Sequence, residues 1–154
     1  MNPTPAPRRI ILDMELQPFG TLTIQTDPQA LFMLGTTVLT RRIIQEFSSV
    51  RFEGERLRGT MTGHAGADWL TVDESGHATM DIRVLLLTDD GAHVFVMLDG
   101  RADWGQALGR GPIYSSVRLE SGDERYQWVN YLPLVSRGTI GEGGAVAHEC
   151  FLMV

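Results

Sequence analysis

The chain has 154 residues, 43% of them hydrophobic and 21% charged, with a net charge of −6. These are ordinary globular values, and a chain of this length buries roughly 68–70% of its unfolded surface around one core, which excludes disordered and fibrous classes. An acidic balance without clustered cations speaks against nucleic acid and anionic membranes as partners.

All 13 basic residues are arginine. The absence of lysine excludes Schiff-base chemistry and a lysine general base. Cys150 is the single cysteine, so neither an intramolecular disulfide nor a cysteine metal cage can form, and a reducing cytoplasm is the expected compartment.

Residues 1–9, with Pro3, Pro5 and Pro7, read as an extended N-terminal tail, followed by one domain over residues 10–154. No stretch reaches the about 20 apolar residues of a membrane helix. Gly20 to Gln25 alternates apolar and polar residues as a half-buried strand does, and Leu57 to Met61 repeats the habit after the Glu53-Gly54 turn signal. Pro28 to Phe47 has helix-like apolar spacing, but Gly35 and the β-branched Thr36, Thr37 and Val38 interrupt it, which predicts strand, loop, strand.

The segment Gly66 to Gly91 reads as two turns bracketing a strand. Thr79 to Thr88 and Ala92 to Leu98 are separated by Asp89-Asp90-Gly91, a hairpin signal because glycine accepts the positive φ such turns need. Gly122 to Trp128 reads as one helical turn near 123–128, leading into a strand at Val129. Gly138 to Gly144 reads as the last hairpin loop, and Ala147 to Val154 as the last strand. Seven or more strands with little helix predict an all-β fold, a single antiparallel barrel or a sandwich.

The strand over residues 79–88 carries the most informative residues. Asp81, Arg83, Leu85 and Leu87 share one face, and Met80, Ile82, Val84 and Leu86 the other. The mixed face is either the barrel interior, where Arg83 needs Asp68 or Asp81 as partner, or an outer surface with a cross-strand pair. Asp68, beside Trp69 after the glycines at 63 and 66, is either a turn cap or a carboxylate whose apolar wall raises its pKa for acid/base work. Trp69 is a core residue or a ligand platform. Tyr114, Tyr126, Trp128 and Asn130 supply the groups that orient a small ligand, or else Trp128 plugs the barrel end and Asn130 satisfies backbone. His64, His77, His93 and His148 share no ligand spacing, so no metal is expected. Phosphate loops, dinucleotide fingerprints and nucleophile elbows are absent from the sequence, and no cofactor is expected.

Taken in order, Phe52-Glu53-Gly54, Leu57-Arg58-Gly59, Gly66-Ala67-Asp68-Trp69, Asp81 with Arg83, Thr88-Asp89-Asp90-Gly91, and Leu119 to Asp123 with Arg125-Tyr126, Trp128 and Asn130 resemble the family catalogued as domain of unknown function 3237. The resemblance covers about Leu16 to Val154. It implies a single barrel of lipocalin-like appearance, mostly without assigned function, and cofactor-free tailoring of small organic molecules for some members. It also tilts the Asp81/Arg83 face inward. Two departures stand out: Ser48-Ser49-Val50-Arg51 replaces a glycine pair, and Asp99 to Gly111 is short and carries Trp104.

Two functions follow from these expectations. One is a cofactor-independent lyase, isomerase or cyclase acting on a small aromatic or polyketide-like compound. In it Asp68 moves a proton, Arg83 stabilises a developing oxyanion, and Trp69, Asp81, Tyr114, Tyr126, Trp128 and Asn130 line the site. The alternative is a non-catalytic protein binding a small hydrophobic or aromatic molecule in the same pocket. A purely structural reading, with the charges satisfying one another in a filled barrel, needs no cavity. Exposed strand edges would favour a homo-oligomer.

Overall fold

The computed structural model describes residues 13–37 and 39–154. The expected tail over residues 1–9 lies outside the described residues. Eight strands form a closed antiparallel barrel in which each strand pairs with its sequence neighbour and β8 returns to β1. They are β1 (Leu16–Thr36), β2 (Thr40–Gly54), β3 (Arg58–Asp73), β4 (His77–Thr88), β5 (His93–Asp103), β6 (Ile113–Glu120), β7 (Leu134–Ile140) and β8 (Ala145–Met153). Short turns suffice between such neighbours, and the Asp89-Asp90-Gly91 signal is realised with Gly91 at φ 93°.

Alternation decides the interior. On β4, Ala78, Met80, Ile82, Val84, Leu86 and Thr88 are buried, while Arg83 and Leu87 are exposed. One half of the barrel is filled with hydrocarbon from Leu22, Val50, Phe52, Val84, Leu86, Val94, Val96 and Leu119. That end is closed by the β6–β7 connection. There Tyr126 donates a hydrogen bond to Asp90 Oδ1 at 2.8 Å, and Trp128 packs edge-on to Phe19 with centroids 6.3 Å apart, under the Arg56 guanidinium at 3.8 Å.

Three expectations shift here. The helical element is a 3-10 turn over Gln127–Tyr131 rather than 123–128, and the next strand begins at Leu134 instead of Val129. The reason is Pro133, which cannot donate to a ladder and holds the chain out of the sheet until it has passed. Gly138 to Ile140 belong to β7, which shortens the last hairpin loop to Gly141–Gly144. The third concerns the glycines at 63 and 66, which form a bulge within a continuous β3 rather than a turn, the register jumping between Met61 and Gly66.

A second irregularity in β1 places Thr26 opposite Phe47 but Leu31 opposite Gln45. Asp27 to Ala30 thus bow outward. Their backbone is held by Gln45, whose Nε2 donates to the Asp27 carbonyl at 2.7 Å. Both irregularities lie on strands that wall the other half of the barrel, where the hydrocarbon filling is incomplete.

Because the plug is built from aromatic packing, Trp128→Ala is expected to cost about 2 kcal/mol in urea unfolding, below the full cost of a buried tryptophan since the ring is only partly buried. It should leave the far half of the barrel unchanged.

Candidate functional site

A cavity of about 250 Å³ occupies the unfilled half of the barrel, walled mainly by Ile24, Ile43, Phe47, Leu70, Met80, Ile82 and Ile113. Trp104, from the β5–β6 connection, covers one side with its Nε1 donating to the Gly111 carbonyl at 3.4 Å. Leu31 also lines the cavity and is 44% exposed, so the space reaches the surface beside β1. The polar side chains on this wall are Asp68, His148, Gln45 and Thr26, and no arginine among the described residues contributes to it.

Asp68 faces the lumen because it follows the β3 bulge in phase with Gly66 and Leu70, and it is only 9% exposed. Its Oδ1 accepts the Asp81 backbone N–H at 3.0 Å, the one hydrogen bond it makes among the described residues. Burial in this apolar wall pushes its carboxyl up to about 7. That backbone bond and the Arg42 charge pull the other way, but do not cancel the desolvation, which the Asp81 charge reinforces. A carboxyl poised at neutrality can both accept and return a proton.

His148 is fully buried on β8, opposite Gly138 of β7. A Cβ at position 138 would lie 2.6 Å from His148 Cε1, so the imidazole rests where only glycine leaves room. Its Nδ1 is 3.2 Å from the buried Ser136 hydroxyl, and Nε2 has no partner among the described residues. Desolvation lowers its pKa to about 4, so the ring is neutral at pH 7. Cys150, two residues on, is also buried. Its thiol is pushed up to about 12 by burial, which removes it as a nucleophile.

The remaining predicted residues are elsewhere. Arg83 lies on the outer face, its side chain 56% exposed, and pairs with Asp81 on the same strand through two hydrogen bonds of 3.0 Å. The expected inward orientation of both is therefore corrected. The all-apolar row of β4 gains more by burial, and the charged pair remains hydrated outside. Trp69 is on the same outer face, 38% exposed, with the Arg83 guanidinium 5.8 Å from its ring. Tyr114 is 58% exposed on the outside of β6. Asn130 exchanges two hydrogen bonds with the Ser121 backbone, at 2.8 and 3.0 Å, and together with Tyr126 and Trp128 builds the closed end. Only Asp68 of the predicted set lines the lumen.

His148 was the residue that sequence reasoning passed over. Its signal was faint: in alternation it shares the inward row with Val146 and Cys150, and a histidine in an apolar row has to be either satisfied or used.

The family model described as protein of unknown function (DUF3237) matches residues 14–152. The chain belongs to that family. Among solved structures it is similar to a β-barrel-like protein from Acinetobacter baumannii AYE, at 25% identity and TM-score 0.79, with 96% of this chain and 100% of that one covered. It is also similar to a conserved protein of unknown function from Rhodopseudomonas palustris, at 19% identity and TM-score 0.83, covering 94% and 100%. An enzyme from Penicillium herquei shares the fold at 18% identity and TM-score 0.66, covering 97% and 99%. No curated protein matches the chain. No helix among the described residues is long and apolar enough to cross a membrane.

The two lumen groups tilt stability in opposite directions with pH. The native Asp68 carboxyl holds a proton that the unfolded chain has released above about 4, so its contribution falls as pH rises from about 4 to 7. Native His148 refuses a proton that the unfolded chain binds, so its contribution rises between about 4 and 6.5. Urea unfolding across this range should show Asp68→Asn gaining stability relative to the parent as pH rises, by on the order of 2–4 kcal/mol, and His148→Gln losing it by a similar amount.

Proposed function

We propose that this DUF3237 family member binds a small hydrophobic or aromatic molecule in the barrel lumen and acts on it by cofactor-independent acid/base chemistry, with Asp68 as the proton-transferring group. The observation that carries the reading is a desolvated carboxyl on the wall of a cavity open beside Leu31, held near neutrality. A plain core would have an apolar residue there, and a structural carboxylate would be matched by a cation. Asp68 forms no ion pair among the described residues, and the Arg42 charge does not offset its desolvation.

The reaction class is lyase, isomerase or cyclase, in which one proton leaves one atom of the ligand and returns to another. A group with a pKa near the working pH serves both halves of such a step. The Arg83 role expected from sequence passes out of the proposal, since the guanidinium is on the other side of the sheet wall. The alternative, a non-catalytic binding protein, would use the same cavity and favours no particular pKa for Asp68. A buried free thiol at Cys150 is in keeping with a reducing cytoplasm.

A bicyclic enolisable ketone, 2-tetralone, is a suitable probe. Exchange of its α-protons in D2O, followed by proton NMR, is expected to be accelerated by the protein with a rate that rises through about pH 7 and then levels off. Asp68→Asn should reduce the acceleration at least about 100-fold while the ketone still binds. Binding of the ketone without any acceleration would favour the non-catalytic alternative, and no binding would remove both.

A further inference from the structure

We infer that the Nε2–H of His148, fixed as a hydrogen-bond donor by Ser136, is the group that selects the ligand, and that it selects an uncharged carbonyl compound or phenol over a carboxylate. The inference rests on the lumen reading above and adds the ligand's chemical class.

Counting hydrogens leads to the donor. Ser136 Oγ and His148 Nδ1 are each other's hydrogen-bond partners, and neither has another among the described residues. If Nδ1 carried the proton and donated to Ser136, the serine hydrogen would have no acceptor, and Nε2 would be left as a bare acceptor. Two buried groups would then go unmet. If Ser136 donates to Nδ1, the serine is satisfied and the imidazole proton sits on Nε2. Of this pair, only that one donor is then left without a partner, the other unpartnered buried side-chain atom among the described residues being Ser115 Oγ. Leaving a buried donor unmet is costly, and a ligand oxygen in the adjoining cavity removes the cost.

Position is fixed as firmly as tautomer. The ring lies against Gly138, where a Cβ would come within 3.1 Å of Cε1, Nδ1 and Nε2. His148 is fully buried, and its ring occupies the space that a side chain at position 138 would take. Ser136 is a positioning residue here and His148 the ligand-touching one.

The same wall excludes anions. No arginine among the described residues lines the cavity, and His148 is neutral. A ligand carboxylate would have to shed its water with no cation to receive it, next to an aspartate that is itself half-ionised near pH 7. A ketone or phenol needs only a donor for its oxygen and an acceptor for its acidic hydrogen. In the proton-transfer step, the Asp68 carboxylate takes the α-hydrogen, the C–H pair becomes the enolate C=C bond, and the carbonyl π pair moves onto oxygen. That oxygen is held by Nε2–H, which keeps its proton. Return of the Asp68 proton to a different atom completes an isomerisation with no oxidant or reductant.

The experiment uses the full chain. Long-range proton–nitrogen NMR of 15N-histidine-labelled protein is expected to report His148 as the neutral Nε2–H tautomer between pH 6 and 8, and Ser136→Ala to mix the tautomers. A dominant Nδ1–H form in the parent would overturn the inference, whatever becomes of Asp68. Three probes sharing one frame test selection: 2-tetralone, the hydrocarbon tetralin and 2-naphthoate. The ketone should move the His148 Nε2 resonance and bind about tenfold more tightly than tetralin, the increment of one hydrogen bond to a buried donor. His148→Phe should erase that tenfold difference. Should that variant fail to fold, Ser136→Ala is expected to narrow the difference. Naphthoate binding as tightly as the ketone would overturn the inference. If the ketone shifts His148 but Asp68→Asn leaves exchange unchanged, ligand selection stands and the proposed Asp68 chemistry falls, so the two claims fail separately.

Discussion

Closure of the sheet on itself is the constraint from which the site follows. With every strand paired on both sides along the body of the barrel, the alternation of side chains leaves each residue one of two places, lumen or solvent. The lumen has a fixed volume, and the sequence fills only part of it with hydrocarbon. Asp68 and His148 fall in the inward rows of β3 and β8, so they are desolvated whether or not they have partners. Their shifted pKa values are consequences of that desolvation, which at Asp68 outweighs the pull of the Arg42 charge.

The irregularities in β1 and β3 are what make the placement useful. A regular β3 would carry its phase unbroken from Gly59 to Val72; the extra residues between Met61 and Gly66 reset it and bend the strand. The bow from Asp27 to Ala30 moves β1 away from the axis and leaves Leu31 at a rim rather than in a packed core. Space, a way in, and a carboxyl facing that space thus come from departures from ideal strand geometry, while the regular half of the barrel, sealed by Tyr126 and Trp128, supplies rigidity. Gly138 belongs to the same division of labour: it has no turn to make, and its lack of a side chain is occupied by the imidazole.

Much of the architecture was legible in the sequence. Alternation in β1 and β4, the hairpin at Asp89-Asp90-Gly91 that joins β4 to β5, and the strand, loop, strand reading of Pro28 to Phe47 all correspond to the barrel observed. The inward face of β4 was not legible, because Leu85 and Leu87 accompany Asp81 and Arg83 and make both rows look fit for burial. An arginine paired two residues along its own strand satisfies its charge without help from the interior, and no periodicity announces that. Asp68 was legible as a candidate because an aspartate beside a large aromatic after glycines has few roles. Its neighbour Trp69 was assigned to the wrong side by the same proximity, since adjacent residues in a strand face opposite ways.

His148 shows why a sequence signal can be present and still unread. A single histidine between Ala147 and Glu149 has no motif, and its meaning depends on two residues of another strand: Ser136, which fixes the imidazole proton, and Gly138, which fixes the ring. Those three come together only through the β7–β8 register. Once together they make a neutral donor, and a neutral donor differs in kind from the guanidinium that sequence reasoning assigned to the oxyanion role. A buried arginine would have held Asp68 ionised at all physiological pH and drawn carboxylates into the lumen. Replacing it with an imidazole that does not titrate until about pH 4 leaves Asp68 free to exchange its proton near neutrality. The location of Arg83 outside the barrel therefore leaves the Asp68 carboxyl to be set by desolvation rather than by a paired guanidinium.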